Sequence, residues 1–329
     1  MSKKIIFTNG LIDLAQPRLG TKVIFKTDDF FASAHRIIDP SPPIFKEGLF
    51  DKNGKWMDGW ESRRKRISGH DFLIIKLGKP GSISKVDVDT SHFNGNQPSM
   101  ISLEGSNSKS KSLTNLKWKN IIGKKKIKAN SHHLFNVTSK SIFTHIKLNI
   151  FPDGGVARLR LYGNISKENN KLTNKTINLA SLLNGASVIA CNNEHFGKAE
   201  NILAPGKAKN MGDGWETRRR RGKGFDWLIL NSLDGKEIDK IEISTHHFKG
   251  NFPSHCSLQA AFLPNLKNSK QIVNSSLKWK YLLKDAKLSA NKVHIFKNNL
   301  MKKDKINFIK INIFPDGGIS RFRIYGKTI

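Results

Sequence analysis

Apolar and polar residues alternate along much of the chain, and this pattern predicts β-strands separated by short turns. Residues 146–150 read Ile-Lys-Leu-Asn-Ile, which gives a strand one apolar face because successive side chains point to opposite sides. The Pro-Asp-Gly-Gly sequence at 152–155 predicts a turn, and alternation resumes in residues 157–162. The same strand–turn–strand pattern returns at residues 309–325. Helical signal is weak and limited to short stretches near residues 116–121 and 277–283. Further strands are predicted at residues 71–77, 86–90, 99–103, 227–231, 238–244 and 255–261.

A long internal repeat accompanies this pattern. Residues 57–66 read MDGWESRRKR and residues 212–221 read GDGWETRRRR, so Trp60 and Trp215 are offset by 215 − 60 = 155 residues. A period this long indicates a duplicated domain rather than a solenoid, and each copy is large enough to bury its own core. Two further segments recur in the same order, namely TSHFNGNQPS at 90–99 as THHFKGNFPS at 245–254, and FPDGG at 151–155 as FPDGG at 314–318.

The strand pattern and the repeat together predict the fold class. Short alternating strands with turn-rich punctuation in each copy predict an all-β protein made of two tandem homologous β-sandwich domains. The boundary is expected in a polar, turn-rich stretch that begins near Asn164. The predicted divisions are an N-terminal arm at 1–20, a first sandwich repeat at 21–165, a linker at 166–175 and a second repeat at 176–329.

The composition is typical of a folded protein in a reducing compartment. Hydrophobic residues make up 37% of the 329 residues, which is enough for packed cores and too much for a disordered chain. No apolar stretch approaches the ~20 residues of a membrane helix, and the apolar stretch near the N-terminus is too short for a secretory signal. Cys191 and Cys256 form neither a zinc-binding spacing nor a disulfide framework. We therefore expect a cytoplasmic protein with no membrane partner.

The net charge of +31 indicates a preference for anions. Binding of nucleic acid is one interpretation, because Lys and Arg neutralise phosphates and release counterions. However, the Lys residues are dispersed, and no nucleic-acid motif contains the small clusters at 124–126 and 302–303. We favour a Lys- and Asn-rich composition bias combined with a small anionic substrate, which the positive field would steer toward the protein.

The ordered set of repeated motifs resembles one known family. The motifs are DGWE(S/T)RR followed by an apolar strand, then HFxGNxPS, then IFPDGG with a closing RxRxYG strand. With these motifs, the chain is similar to the allantoicase (allantoate amidinohydrolase) family in both halves, in the family's order, across residues 30–326. The resemblance implies a jelly-roll-like, galactose-binding-like form of the sandwich. It also implies hydrolysis of a small anionic ureide, allantoate, to ureidoglycolate and urea in purine degradation, and we expect a homo-oligomer. The alternative is a non-catalytic β-sandwich that binds a sugar or a small organic acid.

The first candidate group is the Asp-Gly-Trp-Glu segment with its adjacent arginines. Under the resemblance, a carboxylate transfers a proton or accepts hydrogen bonds from the ureido N–H groups, and an arginine clamps the substrate carboxylate. Only one arginine of each adjacent pair should face a given pocket, because neighbours in an extended segment point oppositely. A structural salt bridge is the alternative interpretation. The candidate catalytic residues here are Glu61 and Glu216, and the candidate substrate-binding residues are Asp58, Arg63, Arg64, Arg158, Asp213, Arg218, Arg219 and Arg321.

The second candidate group is the His-Phe segment, where a predicted strand gives way to a loop. His92 and His247 are candidate catalytic acids or bases, and Asn96 and Asn251 are candidate substrate-binding residues. A packed or surface position is the alternative for each histidine. His246 and His247 are adjacent at a predicted strand end, so we expect their rings on opposite faces.

The sequence predicts no cofactor with certainty. It has no HExxH, no His-x-His and no cysteine pair, so the spacing specifies no metal site, and a divalent metal stays an open alternative. It also has no phosphate-binding Gly-rich loop and no GxSxG nucleophile elbow. Whether one repeat or both carry a working site is not determined by the sequence.

Overall fold

The chain forms two tandem β-sandwich units, as predicted. The computed structural model describes residues 5–110, 112–166, 175–301 and 305–329, so most of the predicted linker at 166–175 lies outside the described residues. One unit runs from Ile12 to the linker, and the other combines the second repeat with the N-terminal strand β1 (Ile6–Phe7). Strands dominate the described part of the chain, which confirms the all-β prediction.

The strands of the first repeat are numbered along the chain. They are β2 (Ile12–Asp13), β3 (Lys22–Lys26), β4 (Phe50–Asp51), β5 (Gly54–Lys55), β6 (Trp60–Glu61), β7 (Asp71–Asp89), β8 (Met100–Ser106), β9 (Lys119–Lys126), β10 (His132–Asn136), β11 (Ile142–Phe151), β12 (Gly155–Val156) and β13 (Arg158–Ile165).

One long strand, β7, belongs to both sheets of the first sandwich. Its first half pairs with β3 and β11, and its second half pairs with β10 and β13. One sheet therefore has the order β3–β7–β11–β8–β9 and the other has the order β10–β7–β13–β2, with antiparallel neighbours. The apolar faces meet in a core where Leu73, Ile75, Val86 and Val88 of β7 are fully buried. Burial of each such side chain is worth about 1.5–3 kcal/mol.

The continuity of β7 differs from the prediction of separate strands at 71–77 and 86–90. The Gly and Pro residues between those stretches predict that one strand ends and another begins there. At Gly78, however, a Cβ atom would lie 2.1 Å from the carbonyl oxygen of Leu19. Glycine is present there because another segment of backbone approaches closely, and the strand continues through it.

The second repeat has the same arrangement around its own long strand. β17 pairs through its first half with β15 and β21, and through its second half with β20 and β23. The elements are β14 (Ile177–Asn178), β15 (Ser187–Cys191), β16 (Trp215–Glu216), β17 (Asp226–Ser244), β18 (His255–Ala261), α1 (Ser269–Ser275), β19 (Lys280–Lys287), β20 (Val293–Phe296), β21 (Ile306–Phe314), β22 (Gly318–Ile319) and β23 (Arg321–Thr328).

The N-terminal residues are divided between the two units rather than forming one arm at 1–20. β1 pairs with β15 of the second repeat, where Phe7 lies opposite Ala190. Ile5 and Phe7 also pack against an apolar cluster that includes Trp279 and Phe308. By contrast, β2 pairs with β13 of the first repeat. The division follows these strand pairings, which a pattern in the sequence does not reveal.

The helical expectation at 116–121 is wrong, and the one at 277–283 holds only for its first two residues. Residues 116–121 contain the start of β9, preceded by a 3₁₀ turn at Leu113–Asn115. Residues 277–283 contain the end of a 3₁₀ turn at Ser276–Lys278 and then the start of β19. Pairing of β8 with β9 and of β18 with β19 decides the conformation of these segments. The helix α1 lies earlier, and the side chain of its N-cap Asn268 accepts hydrogen bonds from the backbone N–H groups of Lys270 and Gln271.

Candidate functional site

The Asp-Gly-Trp-Glu segment of each repeat is anchored by its tryptophan. β6 pairs with β12, directly after the FPDGG turn, so two of the repeated motifs meet. Trp60 is fully buried, and its Nε1 donates to the carbonyl oxygen of Asp28 at 2.7 Å. In the second repeat, β16 pairs with β22, and Nε1 of Trp215 donates to the carbonyl oxygen of Asn193 at 2.7 Å. The tryptophans are core anchors that fix the glutamates after them.

Each of these glutamates is held by the asparagine of the HFxGN segment. Nδ2 of Asn96 donates to Oε1 of Glu61 at 2.8 Å, and Nδ2 of Asn251 donates to Oε1 of Glu216. Burial raises the pKa of Glu61, and the hydrogen bond from Asn96 opposes that rise. A buried carboxyl with a raised pKa can hold and release a proton. The structure thus joins candidates from two separate motifs into one pair per repeat.

The aspartate of each segment forms a buried ion pair with the first arginine of the RxRxYG strand. Nη2 of Arg158 lies 2.7 Å from Oδ2 of Asp58, and its other guanidinium N–H groups reach backbone carbonyls. Nη2 of Arg321 lies 2.6 Å from Oδ2 of Asp213, again with backbone carbonyls around the guanidinium. Protein acceptors occupy both guanidinium groups, which favours the structural alternative for these candidates.

The adjacent arginines of the first repeat have different surroundings. The backbone N–H and Nε of Arg63 both donate to Oδ2 of Asp28, at 2.9 and 3.0 Å. The guanidinium of Arg63 also lies over the ring of Phe30. Arg64 is exposed, and its side chain has no polar partner among the residues that the structure describes. Arg63 is therefore neutralised locally, whereas Arg64 is a free cation.

The second repeat lacks the carboxylate that neutralises Arg63. The backbone N–H of Arg218 donates to Oδ1 of Asn193, an uncharged residue, and its Nη2 lies 3.3 Å from the ring nitrogens of His195. Arg219 is exposed, with no polar side-chain partner in the described part of the chain. Among the described residues, no carboxylate forms an ion pair with Arg218 or Arg219. The second repeat therefore has a greater local excess of positive charge than the first repeat has around Arg63 and Arg64.

His92 and His247 occupy strained turns of the same form. Their φ angles are +71° and +74°, in the left-handed region that few residues other than glycine and asparagine adopt. Nε2 of His92 lies 3.4 Å from the carbonyl oxygen of Pro43, and Nε2 of His247 lies 2.9 Å from that of Ala208. Each imidazole therefore contacts the loop that precedes the Asp-Gly-Trp-Glu segment.

The expectation that His246 and His247 face opposite ways is wrong. Their ring centroids lie 4.0 Å apart. β17 ends at Ser244, so both residues follow the strand, and the left-handed backbone of His247 breaks the alternation on which the expectation rested.

Comparison with known proteins identifies the family. A family profile described as "Allantoicase repeat" matches residues 12–166 and 177–329. The chain belongs to the allantoicase family. A probable allantoicase of Acinetobacter baumannii (strain SDF) is 47% identical over 319 residues, which cover 97% of this chain and 94% of the relative. One of Pseudomonas fluorescens (strain Pf0-1) is 48% identical and covers 96% of each. The crystal structure of allantoicase from Saccharomyces cerevisiae matches with a TM-score of 0.82 at 32% identity, covering 97% of this chain and 94% of that one.

The allantoicase repeat contains site neighbours that the motif comparison missed. Asp28 and Asn193 are offset by 193 − 28 = 165 residues, whereas the tryptophans they hold are offset by 155. The first repeat therefore has 165 − 155 = 10 extra residues between Pro43 and Asp58. A signal was present, because Val-Ile occurs at both 23–24 and 188–189, but the change of offset hides it.

Three further observations concern metal binding, membrane-spanning helices and the two cysteines. Within the residues that the structure describes, no three His, Cys, Asp or Glu side chains are grouped as a metal site requires. No helix in the described part of this allantoicase-family chain is long and apolar enough to cross a membrane. Cys191 and Cys256 are free and buried, and burial raises the pKa of each thiol to about 12.

Proposed function

We propose that this protein hydrolyses allantoate to ureidoglycolate and urea, as a hydrolase of purine degradation. The observation that carries the proposal is the match of the allantoicase repeat to both halves of the chain. Relatives named probable allantoicase match over nearly the whole chain, which supports the same activity for the intact protein.

The reaction sets the requirements for the site. The bond between the central carbon of allantoate and one ureido nitrogen breaks, and a bond between that carbon and a water oxygen forms. One water molecule supplies the hydroxyl group of ureidoglycolate and the proton that completes urea. The site therefore needs a base for water, an acid for the departing nitrogen and a cation for the carboxylate.

We assign proton transfer to Glu61 and Glu216. The raised pKa of Glu61 supports this role, because a carboxyl that retains a proton closer to neutral pH is a better general acid. The amides of Asn96 and Asn251 orient these carboxyls through the hydrogen bonds described above. An amide of this kind also suits the N–H and C=O groups of a ureido arm.

We assign the carboxylate clamp to Arg64 and Arg219. Both are exposed, and neither has a polar side-chain partner within the described ranges, so their planar donor pairs are available to an anion. Arg63 is a weaker candidate because Asp28 already neutralises it, whereas Arg218 has no such neighbour. His92 and His247 are proposed as the second acid–base group, because an imidazole can donate and accept a proton and each contacts the loop before the Asp-Gly-Trp-Glu segment.

Release of urea from allantoate by the purified protein tests the proposal. One urea and one ureidoglycolate should form per allantoate, measured with and without added divalent metal. Allantoin is the control and should react little, because its ring leaves no free carboxylate for an arginine clamp. A folded sample that releases no urea under either condition would favour the sugar- or acid-binding sandwich.

We further propose a cytoplasmic location and a homo-oligomeric state. The free, buried cysteines support a reducing compartment. Large exposed apolar side chains, including Phe50 and Ile67, support contact between copies of the chain. Cell fractionation tests the location, and light scattering on the purified protein tests the oligomeric state.

A further inference from the structure

The second repeat contains a cavity of about 240 Å³ on the polar face of β17 and β23. Its charged and polar lining is Arg321 and Arg323 of β23, Glu242 and Ser244 of β17, His246 and Lys207. This volume lies below the ~300 Å³ at which pockets for drug-sized ligands begin, so it suits a ligand of a few carbon atoms. Neither Glu216 nor Asn251 lines the cavity.

Cations exceed carboxylates around this cavity. The Nη1 and Nη2 atoms of Arg323 donate to backbone carbonyls, and no described carboxylate forms an ion pair with it. Glu242 lies opposite Arg323 in the strand register, but its carboxylate accepts from Nζ of Lys240 at 2.8 Å. Arg323 is therefore half-buried with no ion-pair partner of its own among the described residues, and Glu242 acts on it only at longer range, so an anion that approaches it would be favoured.

The first repeat neutralises the equivalent arginines with carboxylates of its own. In the register of β13 with β7, Arg158 lies opposite Asp89 and Arg160 lies opposite Asp87. Arg160 also forms an ion pair with Asp13, at 3.5 Å. Three carboxylates thus lie around this arginine pair, although Asp87 also lies 2.8 Å from Nδ1 of His132.

Two of those carboxylates are replaced in the second repeat. In the register of β23 with β17, the residue opposite Arg321 is Ser244, where the first repeat has Asp89. Asn178 occupies the position of Asp13, since its Oδ1 accepts from a backbone N–H of β23 as the Oδ1 of Asp13 does from β13. These substitutions leave the second arginine pair with an excess of positive charge.

An unpartnered imidazole nitrogen adds an independent indication of a ligand. Nδ1 of His246 is buried and has no hydrogen-bond partner among the described residues. Burial, with contributions from His247 and Lys207, lowers the pKa of His246. The ring is therefore neutral near pH 7 and can donate or accept one hydrogen bond to a polar ligand. The first repeat has Ser91 at this position.

We propose that this cavity binds one small organic carboxylate per chain, and that the first repeat has no equivalent site. The carboxylate lies against Arg323, and His246 and Ser244 bond to the polar groups of the same ligand. The proposal goes beyond the hydrolysis of allantoate, because it concerns a site that the glutamate–asparagine pair does not line.

Calorimetric titration of the full chain with ureidoacetate tests the site. This probe carries a carboxylate and a ureido group, so it can also enter the proposed hydrolytic sites, and the cavity should contribute one further binding event per chain. Ser244→Asp installs the carboxylate of the first repeat, and should weaken the cavity's binding event at least tenfold, or about 1.4 kcal/mol, while the other binding events are retained. Asn299→Asp changes the net charge equally at an exposed turn outside the cavity, and should leave affinity within about twofold.

Lys207→Gln provides a second variant in case Ser244→Asp fails to fold, which thermal melting would reveal. Lys207 lines the cavity, and only its backbone carbonyl contacts Arg321, so the side chain can be changed without loss of that bond. This variant should weaken binding about two- to fivefold and flatten its salt dependence. No binding at low salt, or a binding isotherm that is the same in the wild type and in all folded variants, would overturn the proposal.

Kinetics with allantoate then distinguish the source of the carboxylate. If the cavity holds the substrate, Ser244→Asp raises KM and retains kcat. If it holds a separate carboxylate, KM and kcat stay unchanged while the cavity's binding of ureidoacetate is lost. Both results support the cavity site. A chain that binds one ureidoacetate but releases no urea contradicts the proposed hydrolysis and leaves the cavity proposal intact.

Discussion

Replacement of Arg158 by Met separates a structural role of this arginine from a role in substrate binding. Arg158 is 2% exposed, and its guanidinium donates to Oδ2 of Asp58 at 2.7 Å and to the carbonyl oxygen of Ser41 at 3.0 Å. In the variant, the carboxylate of Asp58 loses the guanidinium and keeps the hydrogen bond from the backbone N–H of Ile44, at 2.9 Å. Removal of one partner from a buried ion pair typically costs 3–5 kcal/mol.

The expected loss lies near the lower limit of that range. The side chain of Asp58 is 14% exposed, so water can solvate part of the unpaired carboxylate. We expect about 3 kcal/mol, which corresponds to a fall in Tm of roughly 6–12 °C for a domain of this size. Arg64→Met is the matched control, because Arg64 is exposed without a described partner, and its stability should change by less than about 0.5 kcal/mol.

Guanidinium unfolding and calorimetry measure the two variants. Arg158→Met should unfold at a lower denaturant concentration with an unchanged slope, whereas Arg64→Met should retain the midpoint and lose activity. If Arg158→Met keeps the wild-type midpoint and instead raises KM for allantoate, the ion pair does not stabilise the fold and Arg158 binds the substrate.

Three further predictions concern the candidate site. Glu61→Gln should lower activity ~100-fold or more. Because burial raises the pKa of Glu61, the stability that this carboxyl contributes is lost as pH rises above the ordinary value of 4.5, so the variant should be relatively more stable at pH 7. Thermal melts of both proteins across this pH range test the expectation, and parallel curves would contradict it. Arg64→Lys and Arg219→Lys should each cost about 1.5–3 kcal/mol in kcat/KM wherever the planar fork binds the substrate carboxylate, and normal kinetics in both would exclude the clamp. His92→Asn and His247→Asn should fold, since asparagine tolerates positive φ, and should lose ~100–10,000-fold activity where the imidazole transfers a proton; full activity in the double variant would remove both histidines from the mechanism.

The sequence by itself determined the class of fold and the family. Alternation around the FPDGG turns predicted the strands now seen as β11 with β13 and β21 with β23, because a half-buried strand must place apolar residues at every second position. The repeated motifs determined the duplication, since two copies of one sequence fold in the same way. The helical expectation at 116–121 failed because strand pairing, here of β8 with β9, overrides weak local preference.

Tertiary structure decided which candidate residues meet and which are already occupied. Spacing along the chain does not show that Asn96 reaches Glu61, or that Asp58 is taken up by Arg158, because these residues lie on different strands and loops. Nor does it show that Arg160 forms an ion pair with Asp13, whereas Asn178 occupies the corresponding position near Arg323. The reason is physical: hydrogen bonds and ion pairs depend on distances of a few ångströms, and folding alone brings such distant residues that close.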